Sequence, residues 1–179
     1  MRRALATALV LAACRAGSPA AAEPAAPPWP PTLAGGWVRA CEVHEVCVDA
    51  LRGCNSGDET WCLALGSALE GYGGPRDMVA ALSVYLATCD HGNAEACSQA
   101  ALALALESPD EHAHIHRLHE RACTGGALHS CGALFGDTKA PSPVRAAAGE
   151  RLRTVCDDAA HAERGWACAT LRGDPILPK

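Results

Sequence analysis

Residues 62–97 read CLALGSALEGYGGPRDMVAALSVYLATCDHGNAEAC, and the fold of the whole chain turns on how they are parsed. The spacing predicts one helix over 59–71 (ETWCLALGSALEG) and a second over 77–89 (DMVAALSVYLATC). Between them Gly73-Gly74-Pro75 ends the first helix and sets up the next, because glycine terminates a helix and proline tolerates only its first turn. In the second helix Ala81, Val84, Tyr85 and Thr88 fall at i, i+3, i+4 and i+7, which puts them on one face. The stretch therefore predicts a helical hairpin, with Cys89 and Cys97 flanking the turn into the next one.

Working outward, that unit recurs. Cys54 and Cys62, Cys89 and Cys97, and Cys123 and Cys131 are each eight apart, and the pairs repeat after 35 and then 34 residues. Cys156 follows Cys123 by 33 residues, but Cys168 sits twelve beyond it, as though four residues had been inserted. A period near 34 is the mark of a helical-hairpin solenoid whose units stack on their neighbours. Shifting the second helix by 34 places Ile115, Leu118, His119 and Ala122 on the equivalent face. A further 33 places Ala148, Arg151, Leu152 and Val155 there. Among first helices, Cys-x-x-Leu or Cys-x-x-Ala recurs at Leu65, Ala100, Leu134 and Leu171. The fold class expected is all-α, an α/α solenoid of about three to four disulfide-closed hairpins.

Composition agrees. Of 179 residues 38 are Ala and only seven are aromatic, so the apolar fraction is mostly small side chains, which suit close helix packing better than a β-sheet. The net charge of −5 and the two lysines argue against a nucleic-acid partner.

The start of the chain reads as an export signal. Arg2 and Arg3 precede a mostly apolar run from Ala4 to Ala13, too short to span a bilayer as a helix. Leu11-Ala12-Ala13-Cys14 resembles the lipobox of bacterial lipoproteins. That resemblance implies removal of residues 1–13 and lipidation of Cys14, and Arg15 after it argues against inner-membrane retention. Loss of two arginines leaves 13 basic residues against 20 acids, a net charge of −7. Residues 14–32 then form a Pro- and Ala-rich tether, which cannot bury a core. The folded domain is expected over 33–175. Ten cysteines remain, an even number that implies disulfides in an oxidising compartment.

The segment GYGGPRDMVAALSVYLATCDHGNAEAC resembles a Sel-one-like repeat, a relative of the tetratricopeptide repeat, and more narrowly its cysteine-rich bacterial branch. The resemblance covers about residues 54–171. It implies bridges that tie the end of one repeat's second helix to the start of the next repeat's first: Cys54–Cys62, Cys89–Cys97, Cys123–Cys131 and Cys156–Cys168. On that reading Cys41 is left to pair with Cys47. Two hairpins depart from the pattern: 106–111 (LESPDE) lacks its glycines, and 135–143 (FGDTKAPSP) adds prolines. The same resemblance carries an association with β-lactam binding and β-lactamase activity.

No residue pattern supplies an enzyme. No Ser is followed three positions later by Lys, as the active-serine motif of β-lactamases requires. Gly-x-Ser-x-Gly, His-Glu-x-x-His and phosphate-cradling loops are also missing from the sequence. Without Cys-x-x-Cys the cysteines read as structural staples. Residues 111–120 (EHAHIHRLHE) stand out, because His112, His116 and His119 share a face at i, i+4 and i+7. Neutral imidazoles so spaced chelate Zn²⁺, Ni²⁺ or Cu²⁺, with Glu111 or Glu120 as further donors. The same positions match Met78, Leu82 and Tyr85 one repeat earlier, so a packed histidine face is the competing reading, and a response to protonation is a third.

Trp61, immediately before Cys62, and Trp166, two residues before Cys168, read as packing at the start of first helices. Trp37 reads as a cap on the open end, and Trp29 falls in the tether. The function expected is a membrane-anchored scaffold that binds a protein or peptide and carries no cofactor, probed at Leu63, Ser67, Glu70, Gln99 and Ala103 on first helices. Its location would be the outer membrane, facing the periplasm or the exterior.

Overall fold

The computed structural model describes Cys41, residues 45–71 and residues 77–174. The export signal, Cys14, the tether, Leu33, Trp29, Trp37 and Gly73-Gly74-Pro75 lie outside the described residues. Within them the chain is all-α, with no strand. Eight helices follow in order: α1 (Glu45–Asn55), α2 (Glu59–Leu69), α3 (Met78–Asp90), α4 (Ala94–Glu107), α5 (His112–Thr124), α6 (Leu128–Gly136), α7 (Ser142–Asp157) and α8 (Arg164–Arg172). Each packs on the next, so α2–α3, α4–α5 and α6–α7 are three full hairpins, with α1 the first and α8 the last of the described helices.

Helix starts follow local chemistry. Asp58, Asp77 and Asn93 each cap a helix by accepting a hydrogen bond from a backbone amide of the first turn, on Thr60, Ala80 and Ala96. Three of the four junctions between a second helix and the next first helix are turns with a glycine three residues after a cysteine. Gly57, Gly92 and Gly126 have φ of 89°, 112° and 103°, backbone that L side chains rarely adopt. Around them Asp58, Asn93 and Ala127 donate their amides back to Gly53, Thr88 and Ala122, five residues earlier, which closes the helix end. The fourth junction has Ala159 where the others have glycine, and no such closure; its cysteines are twelve apart rather than eight.

All ten described cysteines are paired: Cys41–Cys47, Cys54–Cys62, Cys89–Cys97, Cys123–Cys131 and Cys156–Cys168. The last four join a second helix to the following first helix. Five disulfides fit folding in an oxidising, extracytoplasmic environment. No helix among the described residues is long and apolar enough to cross a membrane.

The predicted second-helix face is the core. Ala81, Val84, Tyr85 and Thr88 are buried, as are Ile115, Leu118, His119 and Ala122. Tyr85 lies against Gly66 of α2, where a Cβ would come within 2.2 Å of the ring. One hydrophobic cluster runs continuously from Cys41 to Ala127, and a second, smaller one holds Cys123, Cys131, Leu134, Ala148, Leu152 and Ala167. In the third unit the predicted face breaks: Leu152 and Ala148 are buried, whereas Arg151 is exposed. The departure at 106–111 is a four-residue turn between α4 and α5. That at 135–143 is a five-residue turn leading into α7, with Pro143 in its first turn, where proline's missing N–H costs nothing.

Candidate binding face and the histidine cluster

First helices lie side by side. Glu59, at the start of α2, accepts from Asn93 Nδ2 at 2.8 Å and pairs with His91 Nδ1 at 2.8 Å, which fixes the start of α2 beside the α3–α4 turn. These contacts hold the Glu59 carboxyl below its usual pKa, Asn93 first and His91 second. Farther along, Ser130 Oγ of α6 donates to Ser98 Oγ of α4 at 2.9 Å. Second helices are tied as well: Arg121 of α5 donates to Asp90 Oδ1 at 2.7 Å and to the Cys89 carbonyl at 2.8 Å. The Cys89–Cys97 bridge, Arg117 and Arg121 line a groove of about 600 Å³ beside this contact.

The histidines divide. His119 is buried, and its Nδ1 lies 3.0 Å from Ser130 Oγ, so His119, Ser130 and Ser98 form a polar chain across α5, α6 and α4. Burial lowers the His119 pKa, the neighbouring His116 charge lowers it further, and Asp137 opposes both. His116 is half-buried and turned to Asp137 Oδ2 at 2.5 Å, in the turn after α6. Asp137 is held below the usual carboxylate range, first by the Lys139 backbone amide at 2.7 Å, with His116 adding to it. His112 is exposed.

The expected metal triad is therefore corrected. Its three rings share a helix face in sequence, but packing gives His116 and His119 separate partners. No group of three or more His, Cys, Asp or Glu among the described residues is placed to hold a metal ion. The packed-histidine reading describes His119 and His116. Ser130 beside His119 is fully buried, so that hydroxyl presents no surface to a substrate.

The residues expected on a partner face differ in their exposure. Leu63, Ser67, Glu70 and Gln99 are half-buried at the surface of α2 and α4. Ala103 is corrected: it is fully buried in the core. The exposed face of α4 lies one residue away, at Leu102 (50% exposed) and Leu106 (69% exposed). Residues 101–106 alternate Ala and Leu, a period of two that names no helical face, which is why the sequence left the phase open. Ser98, Ser130 and Asp137 carried no signal beyond being polar residues within or beside helices.

Trp61 packs at Gly53 of α1, where a Cβ would meet its ring at 2.2 Å, while staying 43% exposed. Trp166 covers Gly132 and stacks on His129 with ring centroids 4.7 Å apart. No family model matches the chain, and neither a curated protein nor a solved structure matches it.

Proposed function

We propose that this chain is a lipid-anchored, disulfide-stapled helical-repeat protein of the bacterial cell envelope that holds a protein or peptide partner on its first helices. The observation that carries the reading is the pair of exposed leucines on α4, in a fold whose other large apolar side chains are mostly buried. Exposed apolar surface of this kind on a rigid scaffold marks an interaction site. The lipobox resemblance at Leu11–Cys14, the tether after it and the resemblance of residues 71–97 to a Sel-one-like repeat supply the address and the class. The anchor is placed in the outer membrane, with the repeats facing the periplasm or the exterior.

The test is photo-cross-linking in cells, with a benzophenone amino acid at Ser67 or Gln99 and, as a control, at Arg172. A discrete adduct from α2 and α4 but not α8 supports the reading. Adducts absent from both first-helix sites contradict it. In the same cells Cys14→Ser is expected to move the protein out of the membrane fraction; a variant still membrane-bound contradicts the anchor.

A further inference from the structure

The two ends of the solenoid differ in charge. Residues 41–111 contain 12 acidic and two basic residues, a formal charge of −10, whereas residues 112–174 contain seven acidic and eight basic residues, a formal charge of +1. The exposed leucines belong to the acidic end. Along α4, Glu95, Gln99, Leu102 and Leu106 fall at i, i+4, i+7 and i+11, one continuous stripe on a helix face. Gln99 Nε2 donates to Glu95 Oε1 at 2.9 Å, so the polar end of the stripe is ordered. Past its apolar end come Glu107 and Asp110, both exposed and in no ion pair among the described residues. On the neighbouring first helices the positions in register with Leu102 are Ser67 and Gly136, small residues that leave the leucine standing proud.

We infer that the α4 stripe binds a cationic amphipathic segment of a partner protein, one in which apolar side chains alternate with Lys or Arg. This rests on the scaffold reading above and names the chemistry of its partner. Leu102 and Leu106, one helical turn apart, take the apolar side chains. Glu95, Glu107 and Asp110 meet the cations, and the excess of acids over residues 41–111 favours their approach. An anionic lipid surface has the wrong sign for this face, as does an acidic peptide.

The experiment uses the full chain, oxidised and detergent-extracted, titrated against a fluorescein-labelled helical peptide of Leu and Lys and against its Glu-for-Lys counterpart, read by fluorescence anisotropy. The Lys peptide is expected to saturate at micromolar concentration and the Glu peptide not to. Leu102→Ser with Leu106→Ser should weaken the Lys peptide about tenfold or more, and Glu107→Lys with Asp110→Lys should weaken it severalfold. Val79→Ser, which alters an equally exposed residue on α3, should leave it unchanged. Each substitution is at the surface, and an unchanged melting temperature confirms the fold. Equal binding by wild type and the double-leucine variant, equal binding of the two peptides, or no binding of the Lys peptide overturns the inference. A wild-type dimer in light scattering that the leucine substitutions dissolve also overturns it, since the occupant is then a second copy of this chain. Any of these results leaves the scaffold reading standing if the α2 and α4 cross-links form, and that reading fails alone if they do not.

Discussion

The N-terminal units, α1 to α5, and the C-terminal units, α6 to α8, obey one repeat but are held differently. In the first, three bridges meet a single hydrophobic cluster, and Cys54, Cys62, Cys89 and Cys97 are almost wholly buried. In the second, the cluster is small, α8 buries only Ala167, and both Cys156 and Cys168 are half-exposed. Loop entropy does not separate them: closing an eight- or a twelve-residue span stabilises by nearly the same amount, about 3 kcal/mol. The difference lies in packing. Where the first region has Leu118 the second has Arg151, and a period in cysteines persists after the apolar face has opened. A covalent repeat and a packed repeat are separate properties of the same sequence.

The sharpest way to break the comparison is to remove one bridge from each region. Cys89→Ser with Cys97→Ser is expected to cost about 3 kcal/mol or more of global stability in urea unfolding, because the bridge sits inside the continuous core. Cys156→Ser with Cys168→Ser should instead release α7 and α8 alone, seen as lost amide protection confined to residues 142–172. A global loss from both would dissolve the distinction.

Gly66→Ala comes next. The new methyl must displace the buried Tyr85 ring, which costs about 1–3 kcal/mol. Gly136→Ala, with open space around the Cβ, is expected to stay within about 0.5 kcal/mol of wild type. Thermal melts of the two variants check this.

The boundary between the regions is the polar chain through His119, and pH probes it. The folded pKa of His119 lies below its unfolded value, so the unfolded chain binds the proton first. Stability is complete above the ordinary histidine value of about 6.5 and declines as pH falls from there towards the lower folded value. The shift of Asp137 acts at more acidic pH: its contribution is present above the ordinary carboxylate value and is lost as pH falls through its lowered folded value. His119→Gln should flatten the slope between pH 6.5 and 5 in urea unfolding. An unchanged slope places the titration elsewhere.

Smallest is Arg121→Ala. Its contact with Asp90 and the Cys89 carbonyl is partly exposed, so the expected loss is about 1 kcal/mol. Salt should reduce even that.

The sequence shows these differences unevenly. Cysteine spacing and the helical faces of α3 and α5 were readable because both recur at fixed intervals and their side chains contrast in size. The turn glycines at 57, 92 and 126 lie at the same interval and were there to be read. On α4 the run ALALAL hides the phase, so Ala103 stood in for Leu102. For the histidines, shared periodicity suggested one site, but Asp137 and Ser130 come from distant turns and helices, and only packing divides the rings between them.

The most direct test of a bridge at every repeat junction is non-reducing peptide mapping by mass spectrometry, carried out alongside graded reduction and alkylation. The account predicts linked peptides for Cys54–Cys62, Cys89–Cys97, Cys123–Cys131, Cys156–Cys168 and Cys41–Cys47, with Cys156 and Cys168 alkylated at the lowest reductant. Pairs that cross between repeats, or free thiols in the unreduced protein, would contradict it.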